Sequence, residues 1–196
     1  MDSEVPHDPI QRFCEAIEGA RQTEPFDPSA AALATVGPDG APSVRFVLVK
    51  HVDARGFVFY TNGASRKGRE LSANPHVALA FHWHTRGEQV RVEGSVALVS
   101  ADEADRYFAS RPRESQLGAW ASDQSDSIAD RAALEARFHK VAARFGDGPI
   151  PRPPVWGGYR IEATRIEFWK DQPGRLHDRW LYSKVGAGWA ITRLQP

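Results

Sequence analysis

The sequence predicts a mostly β protein, a barrel-like sheet with helices on its outside. Two observations predict it. Short β-rich runs alternate with tight turns through much of the chain, the pattern of an all-β sheet or barrel. The helical patterns are fewer and carry an apolar stripe on one face only, as outer helices do. The 196 residues contain no repeat and no low-complexity stretch, so we read 1–196 as one domain. Residues 1–24 form an N-terminal helical segment, and 25–196 form the barrel with its helices.

Asp8-Pro9 starts the first helix, with Asp8 as N-cap and Pro9 in the first turn. Ile10, Phe13, Cys14 and Ile17 fall at helical spacing, which makes Cys14 a packing residue. A proline-bearing linker, 22–29, leads to a buried strand over 30–36 and the turn Gly37-Pro38-Asp39-Gly40. Strands follow at 43–51 and 57–61. Ser65 caps a short helix over 65–73. Further strands are expected at 76–83 and 88–99. In the second of these Val90, Val92, Val96 and Leu98 share one face, and Gly94 marks a bulge. Ser100 and Glu103 form a capping box for a helix that Pro112 ends. Tyr107 and Arg111, four apart, lie on one side of it. The run 115–125, SQLGAWASDQS, reads as loop. Residues 130–145 make the clearest helix, with Leu134, Phe138, Val141 and Phe145 as a stripe for packing alone. The long strand 158–169 changes the parity of its apolar residues, which a bulge near Thr164 restores. A turn at Pro173-Gly174, a strand over 175–182 and a last strand over 188–193 close the chain.

Composition narrows the function classes. Lys+Arg and Asp+Glu balance at 25 each, which favours neither nucleic acid nor an anionic membrane as partner. Any basic cluster is therefore local and suited to a small anionic ligand. One cysteine excludes an internal disulfide and a cysteine-rich metal site. MDSEVPHDP has no signal pattern, and no apolar run approaches membrane-spanning length, so the expected location is cytoplasmic. The seven histidines are scattered, and His82-x-His84 is weak as a metal site, so none is expected. Neither a serine nucleophile elbow nor a glycine-rich dinucleotide fingerprint is present.

Two segments suit an anion. Arg66 and Lys67 sit in the first turn of a helix, where basic residues oppose the dipole. A bound anion would resolve that conflict; two solvated side chains would tolerate it. Arg175, His177 and Arg179 would share one strand face over roughly 13 Å. That row could span a flat anionic ligand, or pair with surface neighbours. The polar groups of 115–125 could form an oxyanion wall, though ordinary loop polarity explains them as well.

The chain resembles the pyridoxine (pyridoxamine) 5′-phosphate oxidase family of FMN-binding split β-barrels, of Greek-key type. The resemblance runs from about Pro25 to Pro196. It rests on many motifs in order: RFVLVK at 45–50, FYTN at 59–62 with Ser65-Arg66-Lys67, and QVRV at 89–92 with Gly94. Next come Tyr107-Phe108, Arg111-Pro112, Ser115-Gln116, AWAS at 119–122 and Gln124-Ser125. WGGY at 156–159, EFW at 167–169, RLHDR at 175–179 and Arg193-Leu194 complete the set. Two positions depart from the pattern: Glu88 replaces a basic residue, and Lys170-Asp171 replaces Gln-Gly. No Arg-x-x-Tyr segment of the kind that covers substrate in some members is present.

The resemblance implies an FMN oxidase that converts pyridoxine 5′-phosphate and pyridoxamine 5′-phosphate to pyridoxal 5′-phosphate, using dioxygen and releasing hydrogen peroxide. It implies a homodimer with FMN at the interface. The FMN contacts it implies are Arg45, Phe46, Val47, Leu48, Val49, Lys50, Tyr60, Thr61, Arg66, Lys67, Gln89, Gln124, Ser125, Trp169 and Arg179. Substrate contacts are implied at Lys50, Tyr107, Arg111, Ser115, Arg175, Leu176 and His177, with Arg175 and His177 as the catalytic pair. Arg66-Lys67 then reads as a phosphate clamp. Strict alternation places Arg45 and Lys50 on opposite faces, consistent with separate roles. The alternatives are an FMN oxidase like those of phenazine biosynthesis, and a flavin- or pyridoxal-phosphate-binding protein without turnover.

Overall fold

A computed structural model describes residues 6–196; residues 1–5, part of the stretch read for a signal pattern, lie outside the described residues. Helix α1 (Pro9–Thr23) begins as its sequence directs, with Asp8 accepting the Ile10 N–H at 2.9 Å. It buries Phe13, Ile17 and Ala20. Phe13 meets Phe57 and Phe81 edge-on, both at 4.9 Å, so α1 packs its apolar face onto the barrel core. Cys14 corrects the reading above: it is exposed. The buried stripe runs through positions 13, 17 and 20, and Cys14 falls just beside it.

Eight antiparallel strands follow: β1 (Ala30–Val36), β2 (Pro42–Asp53), β3 (Gly56–Asn62), β4 (His76–Trp83), β5 (Glu88–Leu98), β6 (Trp156–Lys170), β7 (Asp178–Val185) and β8 (Gly188–Arg193). Their order is β3-β2-β1-β4-β5-β6-β7-β8, and β3 also pairs with β6. The first six strands therefore close into a barrel. The order β4-β1-β2-β3 within it is a Greek key. Strand β6 is long enough to serve two partners on one edge: 156–161 pair with β3, and 165–170 pair with β7. Between those segments Glu93 faces Arg165 while Gly94 faces Ala163, leaving Thr164 as the extra residue. That is the bulge the parity change required; its extra residue sits on β6, opposite Gly94. Phe57, Phe59, Phe81, Val92, Ile161 and Ile166 fill the interior. Leu98 does not join them and is 73% exposed. It lies past the last residue of β5 paired to β4, Ser95, so no strand shields that side.

Four helices remain: α2 (Arg66–Ala73), α3 (Ala101–Ser110), α4 (Arg113–Ala121) and α5 (Arg131–Phe145). The run 115–125, read as loop, contains most of α4. Helices α3 to α5 gather over a second cluster built on Phe108, Leu117, Ile150 and Trp156, with Phe138, Val141 and Phe145 of α5 against it. The expected strand over 175–182 begins only at Asp178. Pro173–Arg175 form a 3-10 turn in which Gly174 and Arg175 have φ of 69° and 61°. Two left-handed residues in succession break the extended backbone, so Arg175, His177 and Arg179 do not form a regular strand row.

Candidate active site

Strands β2 and β3 and helix α2 build the first part of the site. Ser65 caps α2 by accepting the Gly68 N–H at 3.3 Å. Gly68 is needed there, because a Cβ would sit 2.1 Å from the Gly63 carbonyl oxygen. The tight corner brings Lys67 back against β3. Its Nζ donates to Thr61 Oγ1 at 3.0 Å, Gln124 Oε1 at 3.1 Å and Ser65 Oγ at 3.3 Å. All three partners are neutral, and the side chain is buried. Burial, then the Arg45 charge, pull the ammonium below its ordinary pKa, while Glu70 acts in the other direction.

Glu70 is buried behind this corner and is a residue that sequence reasoning missed. Its Oε2 accepts from Thr35 at 2.5 Å, Ser43 at 2.7 Å and Arg45 at 2.9 Å, and its Oε1 accepts from Arg66 Nε at 2.8 Å. Burial opposes its ionisation, but the hydrogen bonds from Thr35, Ser43, Arg66 and Arg45 outweigh it and hold the pKa at about 2. Arg45 also donates to Leu33 O, Thr35 and Ser43, so four of its N–H groups are used inside the chain. The i to i+4 spacing of Arg66 and Glu70 was the available sequence signal. Three cations against one carboxylate leave this corner net positive, which suits a phosphate dianion.

Beside it lies a cavity of about 580 Å³ that brings together Leu48, Lys50, Tyr60, Thr61, Tyr107, Arg111, Ser115 and Gln124 from the predicted set. Tyr60 and Tyr107 stack at 3.9 Å and 14°, and Trp156 continues the stack 5.6 Å from Tyr60. Trp156 was not singled out from sequence except within its motif. Gly158 of that motif has a packing reason: a Cβ there would meet the Tyr60 ring at 2.7 Å. Arg111 lies over the Trp156 ring at 4.8 Å. Its Nη1 is buried and, among the described residues, has no hydrogen-bond partner. Burial lowers the guanidinium pKa, with Tyr107 acting the other way. Burial also raises the phenol of Tyr107, which keeps it a donor. Gln116 fixes the corner that carries Arg111, since its Nε2 donates to the carbonyls of Phe108, Ala109 and Arg111. Lys50 sits at a bulge in β2 and reaches Asp27 at 3.6 Å. It is on the outer face, while Arg45 points inward toward Glu70, as strict alternation required. Val47 and Val49 turn their side chains into the core, and Ser125 is exposed with φ of 79°.

The remaining predicted residues form a second group on β5, β6 and β7. Gln89, Trp169 and Arg179 are register neighbours across these strands. Arg179 donates from Nε and Nη2 to Glu167 Oε1, both at 2.8 Å, and from Nη1 to the Gln195 carbonyl at 3.0 Å. Glu167 is buried and also accepts from Arg91 at 3.2 Å. The His177 ring lies 4.6 Å from that of Trp169. Its Nδ1 is 3.3 Å from the Gln172 N–H and 3.0 Å from Asp171 Oδ1. Arg175 and Leu176 are exposed. A separate cavity of about 390 Å³ contains Gln89 and Trp169. Among the described residues no hydrogen bond joins this group to the first.

The outer face of β2 presents Val44, Phe46 and Leu48 at 69%, 77% and 42% exposure. This apolar row is continuous with the first cavity through Leu48.

Comparison with known proteins gives the family. Residues 18–145 match the family model described as pyridoxamine 5′-phosphate oxidase, and 156–196 match the pyridoxine 5′-phosphate oxidase C-terminal dimerisation region. The chain is 57% identical to a pyridoxine/pyridoxamine 5′-phosphate oxidase of Gluconobacter oxydans, over 96% of this chain and 94% of that one. It is 58% identical to the protein of that name from Anaeromyxobacter dehalogenans, over 96% of each. Among solved structures, PhzG from Burkholderia lata 383, in complex with tetrahydrophenazine-1-carboxylic acid, superposes with a TM-score of 0.92. It is 34% identical over 98% of this chain and 95% of that one. A pyridoxamine 5′-phosphate oxidase-related, FMN binding protein from Nostoc punctiforme shares the fold, with a TM-score of 0.78 at 17% identity, over 98% of this chain and 100% of that one.

Proposed function

The chain belongs to the pyridoxamine 5′-phosphate oxidase family, and from that premise we propose that it oxidises pyridoxine 5′-phosphate and pyridoxamine 5′-phosphate to pyridoxal 5′-phosphate. FMN is the cofactor, dioxygen the acceptor and hydrogen peroxide the product. The observation that carries the site assignment is Arg111: it lines a cavity walled by stacked rings, and its buried guanidinium nitrogen has no partner among the described residues. A buried unpaired donor is costly, and an anionic ester stacked on the aromatic wall would satisfy it.

The residues present fit FMN. Arg66 and Lys67 at the α2 corner would take its phosphate, with Arg45 adding charge from behind and Thr61, Gln124 and Ser125 alongside. The segment 45–50, Tyr60, Gln89, Trp169 and Arg179 would bound the rest of the cofactor. When bound, FMN supplies a hydride acceptor for C4′ of the substrate and passes the electron pair to dioxygen. Lys50, Tyr107, Arg111 and Ser115 hold the substrate phosphate, which fixes where C4′ lies. Arg175, Leu176 and His177 close over the substrate. Asp171 and Gln172 occupy the surroundings of His177 Nδ1, so Nε2 is the atom left to accept or hold the substrate proton.

The two groups complete each other only in a homodimer with FMN at the interface, the 45–67 and 107–125 residues of one protomer meeting the 89 and 169–179 residues of its partner. The apolar row on β2 and the match to a dimerisation region support this arrangement. A cytoplasmic location belongs to the same proposal. No helix among the described residues is long and apolar enough to cross a membrane. Higher identity to the vitamin-phosphate oxidases than to PhzG favours this substrate class over a phenazine precursor.

The test is a flavin spectrum of the purified protein followed by a peroxide assay with pyridoxamine 5′-phosphate. Flavin absorbance with stoichiometric peroxide and aldehyde is expected. A protein that stays colourless in excess FMN would rule the proposal out.

A further inference from the structure

Glu70 touches neither cavity, yet it holds three elements together at the proposed phosphate corner. Thr35 comes from β1, Ser43 and Arg45 from β2, and Arg66 from α2, and all four donate to its two oxygens. The carboxylate is 7% exposed, so these bonds are made away from water. Their effect on the two arginines differs. Arg45 is immobilised, with both terminal nitrogens engaged. Among the described residues Arg66 is held only through Nε, which leaves its two terminal nitrogens without a partner there, on a side chain that is 63% exposed. Lys67 follows directly, fixed by its own three acceptors.

We propose that Glu70 is a positioning residue for FMN: it preorients the terminal fork of Arg66, and fixes the charge of Arg45 behind it, for a phosphate monoester that it does not itself contact. This rests on the assignment of FMN phosphate to the Arg66-Lys67 corner. Two effects of Glu70 oppose each other. As a fixed anion near a phosphate it repels, and Coulomb's law alone says that neutralising it tightens binding. As the acceptor that orients two arginines it preorganises the site, and losing it weakens binding. An amide in its place keeps one acceptor oxygen and turns its NH2 group toward the donors at the other, either Arg66 or the set of Thr35, Ser43 and Arg45. Preorganisation is therefore the larger effect.

The experiment is titration of the flavin-stripped, full-length protein with FMN and with riboflavin, the same ring system without the phosphate, followed by quenching of flavin fluorescence. The wild type should hold FMN far more tightly than riboflavin. Glu70→Gln should lose about tenfold in FMN affinity, the worth of one charge-assisted bond, with riboflavin affinity changed by less than about twofold. Equal or tighter FMN binding by the variant overturns the inference, and so does an equal loss for both ligands, which would report general damage. If Glu70→Gln does not fold, Ser43→Ala removes one anchor of the same network and leaves its charge. It should lose about threefold for FMN alone, again on the scale of a single hydrogen bond, and unchanged FMN affinity overturns the inference. A wild type that binds both ligands alike instead refutes the phosphate assignment, and the role of Glu70 falls with it.

Discussion

Glu88 and Lys170 face each other across β5 and β6 and are joined by a 3.0 Å ion pair. At these two positions the sequence departs from the motifs on which its resemblance rests, and the ion pair links the two departures. The acid on β5 is matched by the base on β6, and Arg86 adds a second partner at 2.8 Å. Burial works against ionisation of Glu88, yet hydrogen bonds from Arg86 and Lys170 hold its pKa below the ordinary value. The pair lines the same cavity as Gln89 and Trp169.

That pairing sets the first prediction. Lys170 is 56% exposed and Glu88 15%, so solvent screens the pair from one side. A double-mutant cycle of Glu88→Gln and Lys170→Met, followed by urea unfolding, should give a coupling of about 0.5–1 kcal/mol. FMN affinity should stay within about twofold of wild type, since the exchange conserves local charge. A coupling of zero would make the two departures independent.

Arg111 separates stability from function. Its buried Nη1 has no partner among the described residues, so the guanidinium is held at a cost that a bound anion would offset. Arg111→Met keeps the apolar contact with Trp156 and removes the stranded charge. The melting midpoint of the variant should not fall and should rise by about 2–4 °C if about 1 kcal/mol is recovered. The kcat/KM for pyridoxamine 5′-phosphate should fall by about ten- to a hundredfold for each phosphate bond lost. A melting point that drops by several degrees would mean that Arg111 serves packing.

The strands were legible because their apolar and polar residues alternate and their turns carry Gly, Pro and Asp; 30–36, 76–83 and 188–193 are found as read. The Thr164 bulge was legible as a change of parity. Helix α4 was not. Its first turn follows Pro112, which makes no side-chain capping bond, and it carries Gly118 and two serine-flanked polar positions that imitate a loop. The 175–177 turn was hidden because Arg175 takes a left-handed φ that its side chain does not announce. The candidate site was drawn from motifs and not from physics. Its members come from β2, β3, α2, α3 and α4, and only the fold reveals that Lys50, Tyr60 and Arg111 border one cavity.

Acid stability follows from two carboxylates. Glu70 and Asp53 both have pKa values of about 2 in the fold, below their ordinary values of 4.5 and 3.8. Burial opposes both shifts; hydrogen bonds from Thr35, Ser43 and two arginines drive the first, and those from Arg55 with the Arg160 charge drive the second. Their folded pKa values are depressed, so the unfolded chain binds more protons between pH of about 4.5 and about 2, and stability rises with pH across that window. Urea midpoints should be flat in this contribution above pH of about 5 and fall steadily toward pH of about 2. Thr35→Val, which removes one donor to Glu70, raises its folded pKa and should make the fall smaller and end it at a higher pH. An identical acid profile would show that Glu70 does not carry it.

The last prediction divides the second group by role. Arg179 is held by the buried Glu167 and by the Gln195 carbonyl, on the strand face that carries Trp169. His177 stands against Trp169 on the turn, and Arg175 is exposed beside it. Arg179→Ala removes a cation from the cofactor face and leaves Glu167 with Arg91 alone. It should weaken FMN retention on titration and lower stability by about 1–3 kcal/mol, the cost of a buried acceptor losing a charged donor. Arg175→Ala and His177→Ala touch no buried partner, so both should keep their flavin and their melting point while losing turnover with pyridoxamine 5′-phosphate. Loss of flavin from those two variants would move both residues from substrate to cofactor. Full turnover by His177→Ala would remove Nε2 from the proton's path and leave placement of C4′, through Lys50 and Arg111, as the chain's main contribution to the reaction.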